Sequence, residues 1–487
     1  MDSFDLLVIG GGINGTAIAR DAAIREQKVL LVEKDDLAGH TSSASSKLIH
    51  GGLRYLEYGE FRLVREGLKE REILLRTAPH IVRPLRFVLP RGEGKRPWWV
   101  VRAGLILYDL LAWGSSLPRS RGVRRGEDAL RMPLKLERRG RLALYWDGSV
   151  DDSRLVVLNA LDAAEHGAEI ATRTALVSAD RLGEVWQASL SDGRRVAARA
   201  IVNASGPWVA EVLRQSLCET SASRVRLVKG SHIVVPSLSP GDQAYLLQQP
   251  DGRIVFAIPY GAFTLVGTTD VPVSAPGDAI VGADEIDYLC AAANRYFTSQ
   301  ITPADVVWSY AGVRALHDDG ASAAQAVTRD YHLELDEDPG PRLLSVFGGK
   351  ITTARALAEE ALGKLGISGH SRTDSHTLPG GDISPGFNLW LGVLAEWMPQ
   401  ALLTRLASAY GTRLKALLGD ATRMGDLGCH FGAGLHAAEV SYLMNHEFAR
   451  TAEDVLWRRT KLGLHLDEAE TRSLAAWMAE HNRQGAR

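Results

Sequence analysis

The sequence predicts an α/β fold, α+β overall: a Rossmann-like nucleotide-binding domain, an antiparallel β-sheet cap over it, and an all-α C-terminal domain. Three observations predict it. Residues 4–33 read strand, glycine turn, helix, strand; residues 225–270 switch to short β-rich runs; and the residues beyond a Gly/Pro-rich connection at 379–386 follow a helical pattern. At 487 residues the chain is too long for one hydrophobic core, so two or three domains are expected.

Composition narrows the function classes. The 45% hydrophobic content is that of an ordinary globular protein and excludes disorder, and the net charge of −2 supplies no overall basic field for nucleic acid. Cys218, Cys290 and Cys429 are odd in number and far apart, which argues against a disulfide framework or a metal site and for a reducing compartment. The N-terminus enters an apolar strand without a basic leader, so no secretory signal and a cytoplasmic location are expected.

The first element is the apolar run Phe4 to Ile9, followed at once by Gly10-Gly11-Gly12-Ile13-Asn14-Gly15 and a helix expected from Thr16 to about Glu26. The spacing of Gly10, Gly12 and Gly15 allows a tight turn, close approach of backbone N–H groups to a pyrophosphate, and helix packing on the strand. A second strand, Val29 to Val32, ends in Glu33, placed to accept from the ribose hydroxyls of an adenosine. NAD and FAD share this signature. The stretch Thr41 to Tyr55 favours FAD, because its hydroxyls and Lys47 suit a second phosphate and a flavin edge where another βα unit would otherwise follow. Arg54 and Tyr55 then open a helix expected through Arg76, whose alternating charges read as a solvated face.

Residues 91–141 hold thirteen Lys/Arg against five Asp/Glu around the apolar segment Pro97 to Leu117. Arg102 and Asp109 argue against a spanning helix and for a buried or interfacial one, and a basic, Trp-containing region at 91–125 suits contact with an anionic membrane surface. Val150 to Ala164 reads as a helix capped by Asp151 or Asp152, and Ala200 to Gly206 as a buried strand returning to the nucleotide sheet with small residues at its end. The runs of 225–270 predict a meander carrying Lys229 and His232. Further on, Arg314, Arg329 and Lys350 recur at expected strand ends or turns, the last after Gly348-Gly349 and before a helix expected from Ile351 to Leu365. Such cations suit a small anionic substrate.

With these residues in view, the chain closely resembles the FAD-dependent, aerobic, quinone-linked glycerol-3-phosphate dehydrogenases of the D-amino-acid-oxidase-like flavoprotein group. The resemblance covers nearly the whole length and is carried by GGGINGTAIARDAA, TSSASSKLIHGGLRYLE, ASGPW, KGSHIVVP, GTTD, TRDY, SVFGGKITTARALAE and TAEDVLWRRTKLGL. It implies FAD as cofactor, sn-glycerol 3-phosphate as substrate, dihydroxyacetone phosphate as product, a quinone as acceptor and peripheral contact with cytoplasmic membrane lipid, with a homodimer possible. Residue by residue, it implies that Gly10, Gly12 and Gly15 meet the pyrophosphate and Glu33 the ribose. Thr41, Ser42, Ser45, Ser46, Lys47 and His50 would lie along the flavin, closed by Ala204, Gly206, Gly349 and Thr352. Arg54, Tyr55, Arg314, Arg329 and Lys350 would hold the substrate and its phosphate. One departure is Ala315, where the family pattern implies proline after Arg314 and a tighter turn.

The expected division is 1–66, 147–210 and 310–375 for the FAD-binding domain, 67–146 and 211–309 for the cap, and 385–487 for the helical domain. The expected chemistry is hydride transfer from C2 to flavin N5, with Arg314, Lys350, His50 and His232 as catalytic candidates and the choice of base open. The alternatives are an oxygen-using oxidase of the same substrate and, in another class, an FAD-bearing nucleic-acid-modifying protein using residues 91–141.

Overall fold

The computed structural model describes residues 1–90, 97–219, 225–317, 330–337 and 340–485, with side chains described to residue 481. Two sheets organise the first part of the chain. In one, Arg342–Phe347, Arg195–Asn203, Asp2–Ile9, Val29–Glu33 and Glu169–Thr172 lie side by side and parallel, with His332–Asp336 antiparallel at the edge. Both faces are covered, so the strands read as continuous apolar runs. Leu6, Val8, Leu31 and Val202 face the helices Ile13–Ile24, Asp152–Glu165 and Ala354–Lys364, while Phe4, Leu7, Ile9 and Ile201 face Trp186 and Leu213. Alanines 17, 19, 22, 23, 160 and 163 let the first two helices approach closely.

The second sheet is larger than the expected meander. Val225–Pro236, Phe263–Gly267, Ile254–Tyr260 and Ala244–Gln248 are antiparallel neighbours, but Val82–Leu89, Ala143–Val150 and Leu48–Ile49 extend the sheet beyond them. Trp308–His317 pairs with Val225–Pro236 from Trp308 opposite Val234 to His317 opposite Val225. The strand from Trp308 therefore pairs within the cap sheet, whereas the expected division places 310–375 in the FAD-binding domain. Arg314, expected at a strand end or turn, sits within this ladder opposite Val228. Ala315 continues the strand opposite Leu227, so the missing proline loosens no turn.

Other elements follow the chemistry of their ends. Asp151 caps the Asp152–Glu165 helix by accepting from the Arg154 N–H. The helix expected to open at Arg54 is divided, with a 3₁₀ turn at Leu53–Tyr58, Gly59 at φ 74° and an α-helix at Phe61–Thr77. The left-handed Gly59 ends the first piece. The apolar segment forms the helix Trp98–Leu111, and among the described residues no helix is long and apolar enough to cross a membrane.

Residues beyond 384 form helices around their own core of Leu402, Leu406, Leu443, Val455 and Leu474, with a short two-stranded ladder, His430–Gly432 and Leu435–His436, that an all-α expectation does not include. Ion pairs fix this domain to the first, those of Arg154 and Arg459 fully buried and that of Arg173 partly exposed. Arg154 meets Glu447, Arg173 meets Asp454, and Arg459 holds Asp36 at 2.7 and 2.8 Å. Removing one partner of such a pair leaves an unpaired buried charge, at about 3–5 kcal/mol.

His80 lies at the same junction, against Gly380 and Gly411, with neither ring nitrogen hydrogen-bonded among the described residues. Burial, then the nearby Arg154 and Arg83, push its pKa down to about 3, against an opposing pull from Asp382. The unfolded chain takes up a proton near pH 6.5 that the folded chain refuses until about pH 3, so His80 costs stability as pH falls through that window. Between pH 6.5 and pH 5 the expected loss is about 2 kcal/mol. A shallower fall in urea midpoint between pH 7 and pH 5 for His80→Leu than for the parent is the expected outcome; equal falls would exclude this assignment.

Candidate active site

A cavity of about 550 Å³ runs from the first glycine turn to the cap sheet. Its lining includes Gly10, Gly12, Glu33, Thr41, Ser42, Ser45, Ser46, His50, Tyr55, Ala204, Gly206, Arg314, Gly349, Lys350 and Thr352. Of the expected residues that are described, Gly15, Lys47, Arg54 and His232 do not line it. Gly15 lies behind the turn, where a side chain would come 1.9 Å from the Gly10 carbonyl oxygen, so its part is packing of helix on strand. Lys47, with φ 57°, turns away from the cavity and donates to Asp152 at 2.8 and 3.0 Å and to the Ser43 carbonyl. Arg54 does not line the cavity and reaches Tyr58 at 3.5 Å. Arg329 lies outside the described residues.

The nucleotide end is built from backbone. Gly10 adopts φ 110° with its Cα against the Ala204 carbonyl, which leaves no room for a side chain. The helix Ile13–Ile24 starts at Gly12 without a side-chain cap on that residue, and its positive end faces the cavity. Glu33 is spanned by two backbone donors, Gly11 N–H to Oε2 at 2.6 Å and Asp35 N–H to Oε1 at 2.8 Å. Burial raises its pKa and these donors oppose the rise.

The loop 41–46 is tied on several sides. The Ser42 hydroxyl accepts from Ile13 N–H at 3.0 Å, Thr41 donates to the Val313 carbonyl at 2.6 Å, and Ser45 donates through both N–H and hydroxyl to Asp152. Ser46 shares a 2.9 Å hydrogen bond with His232 Nε2. His232 does not line the cavity itself. Its ring stacks on Tyr310 at 4.9 Å, and burial, then Arg314 and Lys47, hold its pKa well below the ordinary imidazole value, so it is neutral at physiological pH.

The cationic end is set by the cap. Arg314 Nη1 donates to Asp270 at 2.7 Å and Nη2 reaches Thr268 at 3.4 Å, with Gly230 lying beneath the guanidinium. Lys350 Nζ stands 4.3 Å over the Tyr55 ring. Gly349, at φ 100°, packs on Asn14, which donates to the Gly348 carbonyl and leaves its own buried Oδ1 without a hydrogen bond among the described residues. An orphaned acceptor, a glycine cradle and an open helix end in one elongated cavity fit a dinucleotide.

Sequence reasoning assigned no part in the site to Asp152, Asp270, Thr268 or Tyr310. Thr268 and Asp270 stand in the GTTD motif and could have been found there. Asp152 read only as a helix cap, and the place of Tyr310 depends on a strand pairing that no local pattern reveals.

Comparison with known proteins agrees with this geometry. The family described as FAD dependent oxidoreductase matches residues 5–360, and the C-terminal domain of alpha-glycerophosphate oxidase matches residues 371–483. The chain is 50% identical to a glycerol-3-phosphate dehydrogenase of Pseudomonas aeruginosa over 98% of this chain and 96% of the relative. It is 48% identical to a D-erythritol 1-phosphate dehydrogenase of Brucella abortus over 99% of each chain, and 45% identical to the aerobic glycerol-3-phosphate dehydrogenase of Escherichia coli over 99% of each. Among solved structures, a glycerol-3-phosphate dehydrogenase of Bacillus halodurans complexed with FAD superposes with a TM-score of 0.76 at 27% identity, covering 98% of this chain and 90% of that one. FAD is the cofactor. With both family matches running in order along its length, the chain belongs to the FAD dependent oxidoreductases that carry the C-terminal domain of alpha-glycerophosphate oxidase.

Proposed function

We propose that the protein oxidises sn-glycerol 3-phosphate to dihydroxyacetone phosphate and passes the electrons to a quinone. The observation that carries the reading is the pairing, in one cavity, of a nucleotide cradle with Arg314 and Lys350. Bound FAD supplies the two-electron acceptor for the C2 hydride. Arg314, oriented by Asp270, and Lys350, seated on Tyr55, hold the substrate phosphate and offset charge developing on the C2 oxygen. His50, which lines the cavity, and His232, which reaches it through Ser46, are the candidate acceptors of the hydroxyl proton. Arg54 and Arg329 are proposed to act at the phosphate on family resemblance alone. Gly10, Gly12, Glu33, Thr41, Ser42, Ser45, Ser46, Ala204, Gly206, Gly349 and Thr352 are proposed to contact FAD, and Gly15 and Lys47 to support it from behind.

The division into an FAD-binding part, a cap and a helical domain belongs to the same proposal, with the cap extended to include the strand from Trp308. Peripheral contact with the inner face of the membrane is supported by the helix Trp98–Leu111, on which only Leu105 and Tyr108 are buried. Trp99 and Trp113 are 71% and 78% exposed, Arg119 stands 5.8 Å from the Trp113 ring, and Arg124 and Arg125 further along the chain are exposed. A homodimer is proposed from the resemblance only. The name of the C-terminal family favours one alternative, an oxidase using oxygen, and peroxide yield against quinone reduction on the same substrate separates the two. The 48% identical Brucella relative makes a four-carbon polyol phosphate a second substrate to assay.

Arg314→Ala and Lys350→Ala are each expected to lower kcat/KM by at least about 100-fold, the loss of a charge-assisted contact made in the transition state, while FAD stays bound. Parent-like kinetics in both would overturn the substrate site. Gly349→Ala places a Cβ 2.6 Å from the Asn14 amide at a φ of 100°, so the flavin-to-protein absorbance ratio of the purified variant should fall well below that of the parent. Full loading would remove Gly349 from the cofactor wall.

A further inference from the structure

The cofactor loop has a weak side. Residues 41–46 are all partly exposed, and beyond them lies a second cavity of about 440 Å³, lined by Thr41, Ser43 and Ala44 on one side and by Trp457, Arg458 and Lys461 of the C-terminal domain on the other. Close packing therefore does not fix the outer face of this loop. Three relays from one short stretch of the C-terminal domain do reach its surroundings, one ending at the glycine turn and two at Ser45.

At the nucleotide end, Arg459, itself fully buried, holds Asp36 through both guanidinium nitrogens, and Arg458 Nε donates to the same carboxylate at 2.5 Å. Asp36 lies three residues past Glu33, and two residues further on the backbone returns to the glycine turn through Ala38 N–H to the Gly11 carbonyl. At the flavin end, Lys461 Nζ donates to the Ser153 hydroxyl at 2.8 Å and to the Trp457 carbonyl at 2.7 Å, and stands 3.9 Å from Asp152. Asp152 is the carboxylate that receives Ser45 and Lys47. The third relay is aromatic: Trp457 stacks on Trp308 at 4.7 Å, Trp308 meets Tyr310 at 4.8 Å, and Tyr310 Oη donates to the Ser45 carbonyl at 2.8 Å. The stretch has unusual backbone to match. Asp454–Arg459 is a π-helix and Lys461 has φ 60°, so one short stretch presents Arg459 and Lys461 to the first domain and Trp457 to the cap strand at Trp308.

We propose that residues 454–461 of the C-terminal domain are a clasp that positions the FAD-facing loop, with Arg459 holding its Asp36 end and Lys461 and Trp457 holding its Ser45 end. The proposal rests on the reading that FAD lies along residues 41–46. The clasp residues are positioning residues: they act on the flavin through Asp36, Asp152 and Ser45.

The test uses the full-length holoenzyme. Flavin release is followed by the rise in flavin fluorescence on dilution, and flavin environment by circular dichroism in the visible band, with far-ultraviolet circular dichroism as the folding control. Lys461→Met is expected to release FAD about ten-fold faster or more, as loss of a charge-assisted hydrogen bond would, with a changed visible signal and an unchanged far-ultraviolet one. Lys461→Arg should recover part of the retention. Tyr310→Phe, which removes only the hydroxyl that holds Ser45, should release FAD roughly two- to five-fold faster, and it decides the question alone if Lys461→Met does not fold. Gly10→Ala serves as the control for the cofactor site and should lose FAD. Parent-like release and visible signal in Lys461→Met and Tyr310→Phe, with FAD lost from Gly10→Ala, would overturn the clasp. Retention in Gly10→Ala would overturn the cofactor reading, and the clasp with it.

Discussion

A single buried carboxylate ties the parts of this molecule together. Asp152, with no exposed surface, begins the helix Asp152–Glu165, where the helix dipole favours a negative charge. It accepts from Ser45 N–H, the Ser45 hydroxyl and Lys47, and Lys461 stands near it. A charge in that position survives only if it is paired and hydrogen-bonded, so the helix, the cofactor loop and the C-terminal domain must meet there. The chain on either side is recruited with it. Val150 N–H donates to the Lys47 carbonyl, and Leu48–Ile49 joins the cap sheet through Ala143–Val150. Parallel sheet, cap and cofactor loop thus share one corner.

The electrostatics of the cavity follow from that arrangement. Lys47 is neutralised by Asp152 behind the loop, while at the cap end Arg314 and Lys350 face the cavity, the first aimed by Asp270 and the second seated on Tyr55. His232, between Lys47 and Arg314, is kept neutral by burial and by both cations. A neutral imidazole at the edge of a cationic pocket can take a proton while the anionic substrate remains held.

What could be read in the sequence was local. The strand, glycine turn, helix and terminal Glu33 form within thirty-odd residues, and each residue type is there for a steric or hydrogen-bonding reason that holds without knowledge of the rest. Most of Thr41 to Thr352 chosen for the cofactor also lines the cavity, because small and hydroxylated residues cluster where backbone approaches a ligand. The failures were long-range. Arg314 looked like a turn residue because the pairing of Trp308–His317 with Val225–Pro236 joins segments far apart in sequence. Lys47 looked like a phosphate ligand because its positive φ and its partner Asp152 are features of the folded chain. The ion pairs that join the C-terminal domain carried no local signal, since Arg459 pairs with Asp36, and Glu447 and Asp454 pair with Arg154 and Arg173, far away in the sequence.

The account stands on the claim that one cavity joins a flavin to a polyol phosphate. Anaerobic addition of sn-glycerol 3-phosphate to the purified holoenzyme tests it most directly. Bleaching of the visible flavin band, with one dihydroxyacetone phosphate formed per flavin, is the result predicted. A flavin that stays oxidised with excess substrate, yet bleaches with a chemical reductant, would contradict it.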